Sequence, residues 1–430
     1  MRQLAGRTLR FARPPHIFYG WKLVALTAFT MAVVMGPTMQ GLGVFFVALE
    51  RHFGWSRALL AGAFSLSRAE GALLGPLEGF LTDRLGARRM IFIGLMILGV
   101  GLIGLSLIQN AVGFYLAFLL IYAGAGLAGF LPLMTTLNHW FVRRRATAMA
   151  IGMTGQSMGG LLVPALAWLA ISCGWRATAL GLGLGTWALA IPIAMSVRNR
   201  PEEYGLRPDG DPAPDPSVAD ATTNEAANED DTSFTVGEAL RTPAFWFITM
   251  CHGFAAAVFV TVSVHIVPAL TDMGMSLPMA GTVVATYTFA ALLAQLVAGI
   301  IGDHFPKRTL ITFFVAMQAT GMLTAVFMST VPAAFLFAIL FGIGFGGRVP
   351  LLIAIRGDYF GRKNFATILG VSQLPMNIIG MGGPIVVGYL FDTLGSYFLP
   401  FLGLAVVNFL AATLILLARK PASPSRRPRG

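Results

Sequence analysis

The sequence predicts an all-α membrane protein with twelve transmembrane helices in two pseudo-symmetric six-helix bundles. Three observations carry this: an apolar composition, apolar runs of helical length, and a long internal repeat. The 430 residues are 56% hydrophobic and 11% charged, with mean hydropathy +0.73. That is too apolar for a soluble globule. Runs of roughly 20 apolar residues, enough to cross a hydrocarbon core of ~30 Å, fall near 20–46, 58–81, 90–108, 112–138, 146–171 and 176–196. Six more fall near 244–270, 277–301, 309–328, 332–357, 365–391 and 397–418. They are continuously apolar, not alternating with period two, which favours helices over a barrel.

The repeat divides the chain. Gly79, Leu81, Asp83 and Arg88 recur as Gly299, Ile301, Asp303 and Arg308, 220 positions later. Gly54 and Ser56 answer Gly274 and Ser276 at the same offset. Gly124, Gly126, Gly129 and Pro132 answer Gly342, Gly344, Gly347 and Pro350 at 218. Duplicated membrane units are a recurrent plan of secondary transporters, with the solute site where the halves meet. The resulting division is a tail (1–17), a first bundle (18–197), a linker (198–241), a second bundle (242–418) and a tail (419–430). Asp209 to Asp231 has no hydrophobic period and reads as disordered, with slack for one half to rock against the other. Phe234 to Leu240 reads as a short amphipathic helix on the surface.

Charge sets the orientation. Of 30 Lys and Arg, only Arg51, Arg57 and Arg176 fall in loops opposite the termini. Both termini are therefore cytoplasmic, and the net charge of +11 reflects topology and lipid contact rather than nucleic-acid binding. The first apolar run is long and lacks a small-residue cleavage site, so a cleavable leader is not expected. Two cysteines, Cys173 and Cys251, imply neither a disulfide framework nor a metal set.

The segment Gly79-Phe-Leu-Thr-Asp83-Arg84-Leu-Gly86-Ala-Arg88-Arg89 resembles the loop between the second and third helices of the major facilitator superfamily. Three further segments resemble that superfamily's bacterial monocarboxylate and oxalate/formate exchanger-like branch. They are Tyr19-Gly20-Trp21-Lys22, the run from Arg200 to Gly210, and the run from Glu238 to Trp246. Trp140 to Arg145, followed by Gly152, Gly155 and Gly159, fits the same pattern. The resemblance implies a bacterial inner-membrane location with multiple spans, and alternating access. It does not supply the solute contacts. Carriers of that branch commonly place a binding Arg in the eighth span, which here has no basic residue. The exchanger-like pattern uses a Lys in the eleventh, and Lys363 stands only at its cytoplasmic start.

The loop motif has its own physics. A carboxylate at Asp83 or Asp303 can accept backbone N–H groups at a helix end or pair with arginines. With Gly79, Arg84, Gly86, Arg88 and Arg308 it forms a candidate gate that breaks on the cytoplasmic side in one state; the alternative is a topology signal and a tight turn at Gly86. The Gly124 pattern and its twin at Gly342 match a dinucleotide fingerprint but lie inside apolar spans. They read as close helix packing, with Pro132 and Pro350 bending the helices.

Solute chemistry is expected where the copies disagree. Arg68 and Glu70 face Thr288 and Ala290 at offset 220, and Arg348 faces Phe130 at 218. Arg68 lies about 15 Å deep at ~1.5 Å per residue. An Arg at a helix centre costs at least ~2.5–3.5 kcal/mol, so each should face the interior or a wet cavity. A guanidinium binds carboxylates in bidentate fashion, which points to a small organic anion. Arg348 and Arg68 are the candidate solute contacts, or else partners of a structural acid such as Glu70, Glu78 or Asp358. Glu70 is the proton-coupling candidate or a structural partner; His265 is a titratable group near the outer end of the seventh span or an interfacial one. Tyr122, Gln156, Tyr287, Gln373 and Asn377 complete a polar lining or hold the bundle by inter-helix hydrogen bonds.

The expectation is a monomeric secondary transporter of a small organic anion, coupled to protons or to a counter-anion and in contact with lipid, without cofactor or metal. The rivals are an exporter of a hydrophobic or amphipathic solute and a non-transporting receptor or scaffold. An enzyme is not expected, since no nucleophile–base set appears.

Overall fold

The computed structural model describes residues 18–211 and 233–422; the side chains of several residues inside the spans, Arg68 among them, also lie outside the described residues. Within them, twelve helical spans follow the expected order. The first half comprises Tyr19–Phe53, Arg57–Leu85, Ala87–Leu107, Ala111–Trp140, Arg145–Ser172 and Trp175–Ser196. The second comprises Pro243–Asp272, Leu277–Gly302, Lys307–Val326, Val331–Phe360, Phe365–Leu394 and Phe398–Leu417. Eleven are long and apolar enough to cross a membrane. The second span, 29 residues long, is diluted by Arg68, Glu70, Glu78, Asp83 and Arg84.

Local chemistry sets the ends. The Ser56 hydroxyl accepts the Leu59 N–H at 3.3 Å, and the Asn110 amide oxygen accepts that of Gly113 at 2.8 Å. Each satisfies one of the donors orphaned at a helix start. Gly86, at φ +84°, ends the second span and lets the third begin at Ala87. That left-handed φ favours glycine, and a Cβ there would also strike the Asn199 amide at 2.6 Å.

Three spans are interrupted. In the first, Pro37 lies in a π-turn, Gly36–Gln40, that shifts the hydrogen-bond ladder. The fourth breaks at Gly129 and the fifth at Leu162, just before Pro132 and Pro164. Pro350 behaves otherwise, because its helix, Val331–Phe360, runs through it unbroken. The repeated glycines are packing devices. A Cβ on Gly124 would overlap the Leu98 and Gly94 backbone, and one on Gly344 would overlap Gln318.

The start of the linker departs from the expected disorder. The Asp209 carboxylate accepts three backbone N–H groups, from Val142 (3.0 Å), Arg143 (2.8 Å) and Arg144 (3.2 Å). Arg198 lies between the Tyr19 and Tyr204 rings at 4.0 and 4.2 Å. Residues 212–232, the remainder of the stretch read as disordered, lie outside the described residues. The expected surface helix forms at Val236–Leu240 with a Thr235–Glu238 capping box. Phe234 and Ala239 are buried, and Phe234 meets Phe360 edge-on at 5.6 Å, so this segment packs under the second half.

Candidate functional site

The site is a cavity of about 240 Å³ between the halves. The first span brings Met35 and, from its π-turn, Thr38 and Met39 to the wall, the second span brings Glu70 and Glu78, and the eleventh brings Gln373 and Asn377. Tyr122 donates its hydroxyl to the Thr38 carbonyl at 2.9 Å, tying the fourth span to the π-turn. Glu78 fills the space beside Gly126, where a Cβ would overlap its Oε1. Glu70 Oε2 is buried without a hydrogen-bond partner. Neither carboxylate forms an ion pair among the described residues, and the lining holds no Lys or Arg.

Two reciprocal caps close this cavity toward the cytoplasm. Asp83 accepts the Ala366 and Thr367 N–H groups at 3.2 and 2.7 Å and the Thr367 hydroxyl at 2.6 Å. Asp303 accepts the Ala146 and Thr147 N–H groups at 2.8 and 3.0 Å. Each half thus supplies an acid that caps the start of a helix in the other half, where exposed amides and the helix dipole favour a negative charge. Burial raises the Asp303 carboxyl above its usual range, against the opposing pull of the Thr147 and Ala146 hydrogen bonds and of Lys307.

The same symmetry continues inward. Gln295 donates to the Ala150 carbonyl at 2.8 Å, while Gly75 packs on the Gly370 backbone at the equivalent place. Farther out the seam parts: a Cβ on Gly71 or Gly380 would meet nothing within 4 Å. The cavity is therefore shut on the basic side and opens on the opposite one.

Of the residues singled out from sequence, Glu70, Tyr122, Gln373 and Asn377 line the cavity. Arg348 does not. It is fully buried in the second half, where Nε donates to Gln318 at 2.7 Å and Nη2 to the Ala255 carbonyl at 2.8 Å. Phe345 lies under its guanidinium at 5.3 Å and stacks on Phe259 at 3.8 Å. Tyr287 is also in that core, edge-on to Phe341, and Gln156 is exposed outside the cavity. His265 is hydrogen-bonded to the Pro384 carbonyl (3.1 Å) and Tyr397 (3.4 Å), joining the seventh, eleventh and twelfth spans. Arg84 and Arg88 are exposed, and neither they nor Arg308 pairs with Asp83 or Asp303; Gly79 provides the close approach to Ala366.

Sequence reasoning missed Arg356. It is fully buried eight residues after Arg348, hydrogen-bonded to the Leu352 carbonyl at 2.5 Å and 3.5 Å from His252. Its Nη2 lies 3.9 Å from the sulfur of Met376, between the cavity-lining Gln373 and Asn377. Neither buried arginine pairs with a carboxylate among the described residues, and each keeps one orphaned nitrogen. The missed signal was a second basic residue in the tenth span, one turn before its cytoplasmic end.

The Major Facilitator Superfamily profile matches residues 28–271 and 245–430. The chain belongs to the major facilitator superfamily. It is a membrane transporter by family and not an enzyme. Curated relatives include monocarboxylate transporter 11 of Mus musculus, 27% identical with 96% of this chain and 90% of the relative covered. Monocarboxylate transporter 13 of Bos taurus is 24% identical, with 95% and 89% covered. Among solved structures, FucP in the outward conformation superposes with TM-score 0.70 at 14% identity, covering 94% of this chain and all of that one. The proton:xylose symporter XylE superposes with TM-score 0.75 at 15% identity, covering 94% and 96%. These superpositions establish the shared fold.

Two expectations are corrected by these relatives. They are eukaryotic monocarboxylate transporters, which overturns the bacterial inner-membrane assignment while leaving the multi-pass topology in place. They also support kinship with monocarboxylate transporters at large rather than with an oxalate/formate exchanger branch.

Proposed function

We propose that this chain is a proton-coupled secondary transporter of a small carboxylate, acting as a monomer by alternating access. The observation that carries the reading is the cavity itself. It holds two carboxylates without a basic partner among the described residues, and it is closed to the cytoplasm by Asp83 and Asp303. An ionised carboxylate lacking a counter-charge is costly inside a membrane, and a proton supplies what is missing. Glu70 and Glu78 are therefore the proton carriers. A protonated carboxyl also becomes a donor, so proton and anion enter together.

The amides of Gln373 and Asn377 offer N–H donors to the solute carboxylate, with the Tyr122 hydroxyl beside them. Arg348 and Arg356 act from behind the wall, where low dielectric extends the reach of their charge. Arg348 touches solute only when the Phe345–Phe259 stack parts. Arg68, two residues from Glu70, remains a solute contact in this scheme. Residues 18–197 and 242–418 are the rocking bodies, with 198–241 as the connection and the loop motif as the cytoplasmic gate. The names of the relatives support a monocarboxylate as the solute class.

The test is uptake by reconstituted vesicles of labelled monocarboxylates, dicarboxylates and amphipathic cations, with and without an inward proton gradient. Monocarboxylate accumulation driven by the gradient is expected. Glu70→Gln/Glu78→Gln should abolish that accumulation while leaving solute counterflow within about threefold of the parent chain. Accumulation undiminished in the double variant would remove the coupling assignment. Transport of the amphipathic solutes alone would favour the exporter reading, which the apolar lining by Met35, Met39, Leu74 and Phe130 supports.

A further inference from the structure

A second cavity, of about 530 Å³, lies on the cytoplasmic side. Its wall is shared: Arg145 comes from the first half, Asp358 and Arg362 from the second, Phe234 from the linker and Lys420 from the segment after the last span. Among the described lining residues positive charge is in excess. Arg145, only 3% exposed, is held by the Phe141 carbonyl at 3.2 Å and by Asp358. Asp358 is already shared with Lys307 at 2.8 Å. Arg362 gives Nη2 to the His139 carbonyl (2.6 Å) and Glu202 (2.7 Å), and its Nε is buried without an acceptor. Lys420 is exposed and has no acid partner among the described residues.

A second, independent observation lies beside this cavity. Asn138 is fully buried, yet neither its amide nitrogen nor its oxygen has a partner. It packs against Gly357 in the cavity wall, where a Cβ would overlap its Oδ1 and stand 3.0 Å from Arg145 Cζ. Buried amides and guanidinium nitrogens are nearly always satisfied in native structures, by protein, water or ligand. Three cations around open space describe a receptor for oxygen acceptors, and the orphaned Arg362 Nε and Asn138 amide behind them show that protein groups alone do not satisfy this wall.

We propose that this cavity is a cytoplasmic site for a multivalent oxyanion, a phosphate or a polycarboxylate, and that its occupancy holds the cytoplasmic gate shut. The second clause follows from the walls. Arg145 and Arg362 belong to different halves, so the cavity exists only while the halves meet on this side. A ligand that binds one state alone shifts the equilibrium toward it. A monovalent ion can reach one cation at a time, whereas several oxygens on one ligand can bridge the halves. The site is separate from the outward cavity and acts whatever solute that cavity carries.

The experiment uses the full chain, in detergent and in vesicles, titrated with inorganic phosphate and with citrate against chloride at matched ionic strength. Phosphate and citrate should raise the melting temperature saturably and slow solute exchange when present on the cytoplasmic side. Lys420→Gln should raise the half-saturating concentration about fivefold, as expected for one partly exposed charge, and leave exchange without phosphate unchanged. Lys420→Glu should raise it further. Nanodiscs with and without phosphatidylglycerol identify the source. If the anionic lipid alone gives the shift and phosphate and citrate do not, the site takes a monovalent headgroup and the proposal falls. Equal responses to phosphate and chloride, or Lys420 variants that respond as the parent does, would overturn the proposal.

Discussion

At the scale of the residue, the outward cavity depends on what glycine leaves empty. Glu78 fits because Gly126 has no side chain; a Cβ there would overlap Oε1 of the carboxylate. The struck atom is the end of a flexible side chain, so Gly126→Ala should fold, with a stability loss of about 1–3 kcal/mol from overpacking. The displaced carboxylate should nonetheless reduce gradient-driven uptake toward the level of Glu78→Gln. Thermal melting and vesicle uptake, measured on one preparation, separate the two effects. The sequence marked Glu70 by its lack of a counterpart in the second half. Glu78 faces Ala298 at the same offset and so carried the same signal, but it entered only as a possible partner for an arginine. Arg348 illustrates the opposite limit. Its depth was legible, but helical periodicity does not say whether a face meets the cavity or a neighbouring helix, and Gln318 with Ala255 decides that.

At the scale of the element, the proposed gate is a contact between helix ends. The acids at Asp83 and Asp303 were legible as a repeated loop; their receptors were not. Yet Ala146-Thr147 recurs as Ala366-Thr367 at the same offset of 220, and this pair is what the carboxylates grip. The signal was present but carried by two of the commonest residue types. The proposed gate should respond to pH through Asp303. Burial raises its carboxyl in the closed state above the value of about 3.9 of an exposed aspartate. The closed state therefore holds the proton more tightly, and linkage makes closure more favourable as pH falls through the raised value. That contribution is lost as pH rises through it. Spin labels on the cytoplasmic ends of the fifth and eighth spans should report a larger closed fraction in acid. Asp303→Asn, which mimics the protonated carboxyl, should flatten this dependence; a profile equal to the parent's would assign the response elsewhere. The linker start shows another limit of pattern reading. Asp209 adopts a left-handed φ of +58° and caps the turn before the fifth span, an arrangement that its Pro- and Asp-rich surroundings conceal.

At the scale of the whole molecule, twelve spans were legible because lipid imposes length and apolarity on every one. The second span is the instructive case, since it carries the charges of site and gate and still crosses as a 29-residue helix. Alternating access requires the cytoplasmic seam to open once per cycle. A Cβ on Gly299 would stand 2.4 Å from that of Ala150, inside the ~3.5–4.5 Å of a disulfide, so cysteines introduced at both positions in a Cys173→Ser background can be joined once the two helices move apart by about 1 Å. Oxidation should stop solute exchange and reduction should restore it, each read in the same vesicles; exchange that continues in the cross-linked protein would rule out opening at this seam. The reciprocal caps have a further consequence. Asp83 grips the element that corresponds to the one Asp303 grips, so residue i meets j and j meets i, as in an isologous dimer. Such a contact is self-complementary, and two copies of a single six-helix half could form it without any help from the other sequence. The covalent connection between the halves raises their effective concentration; the closure is already encoded in each half alone.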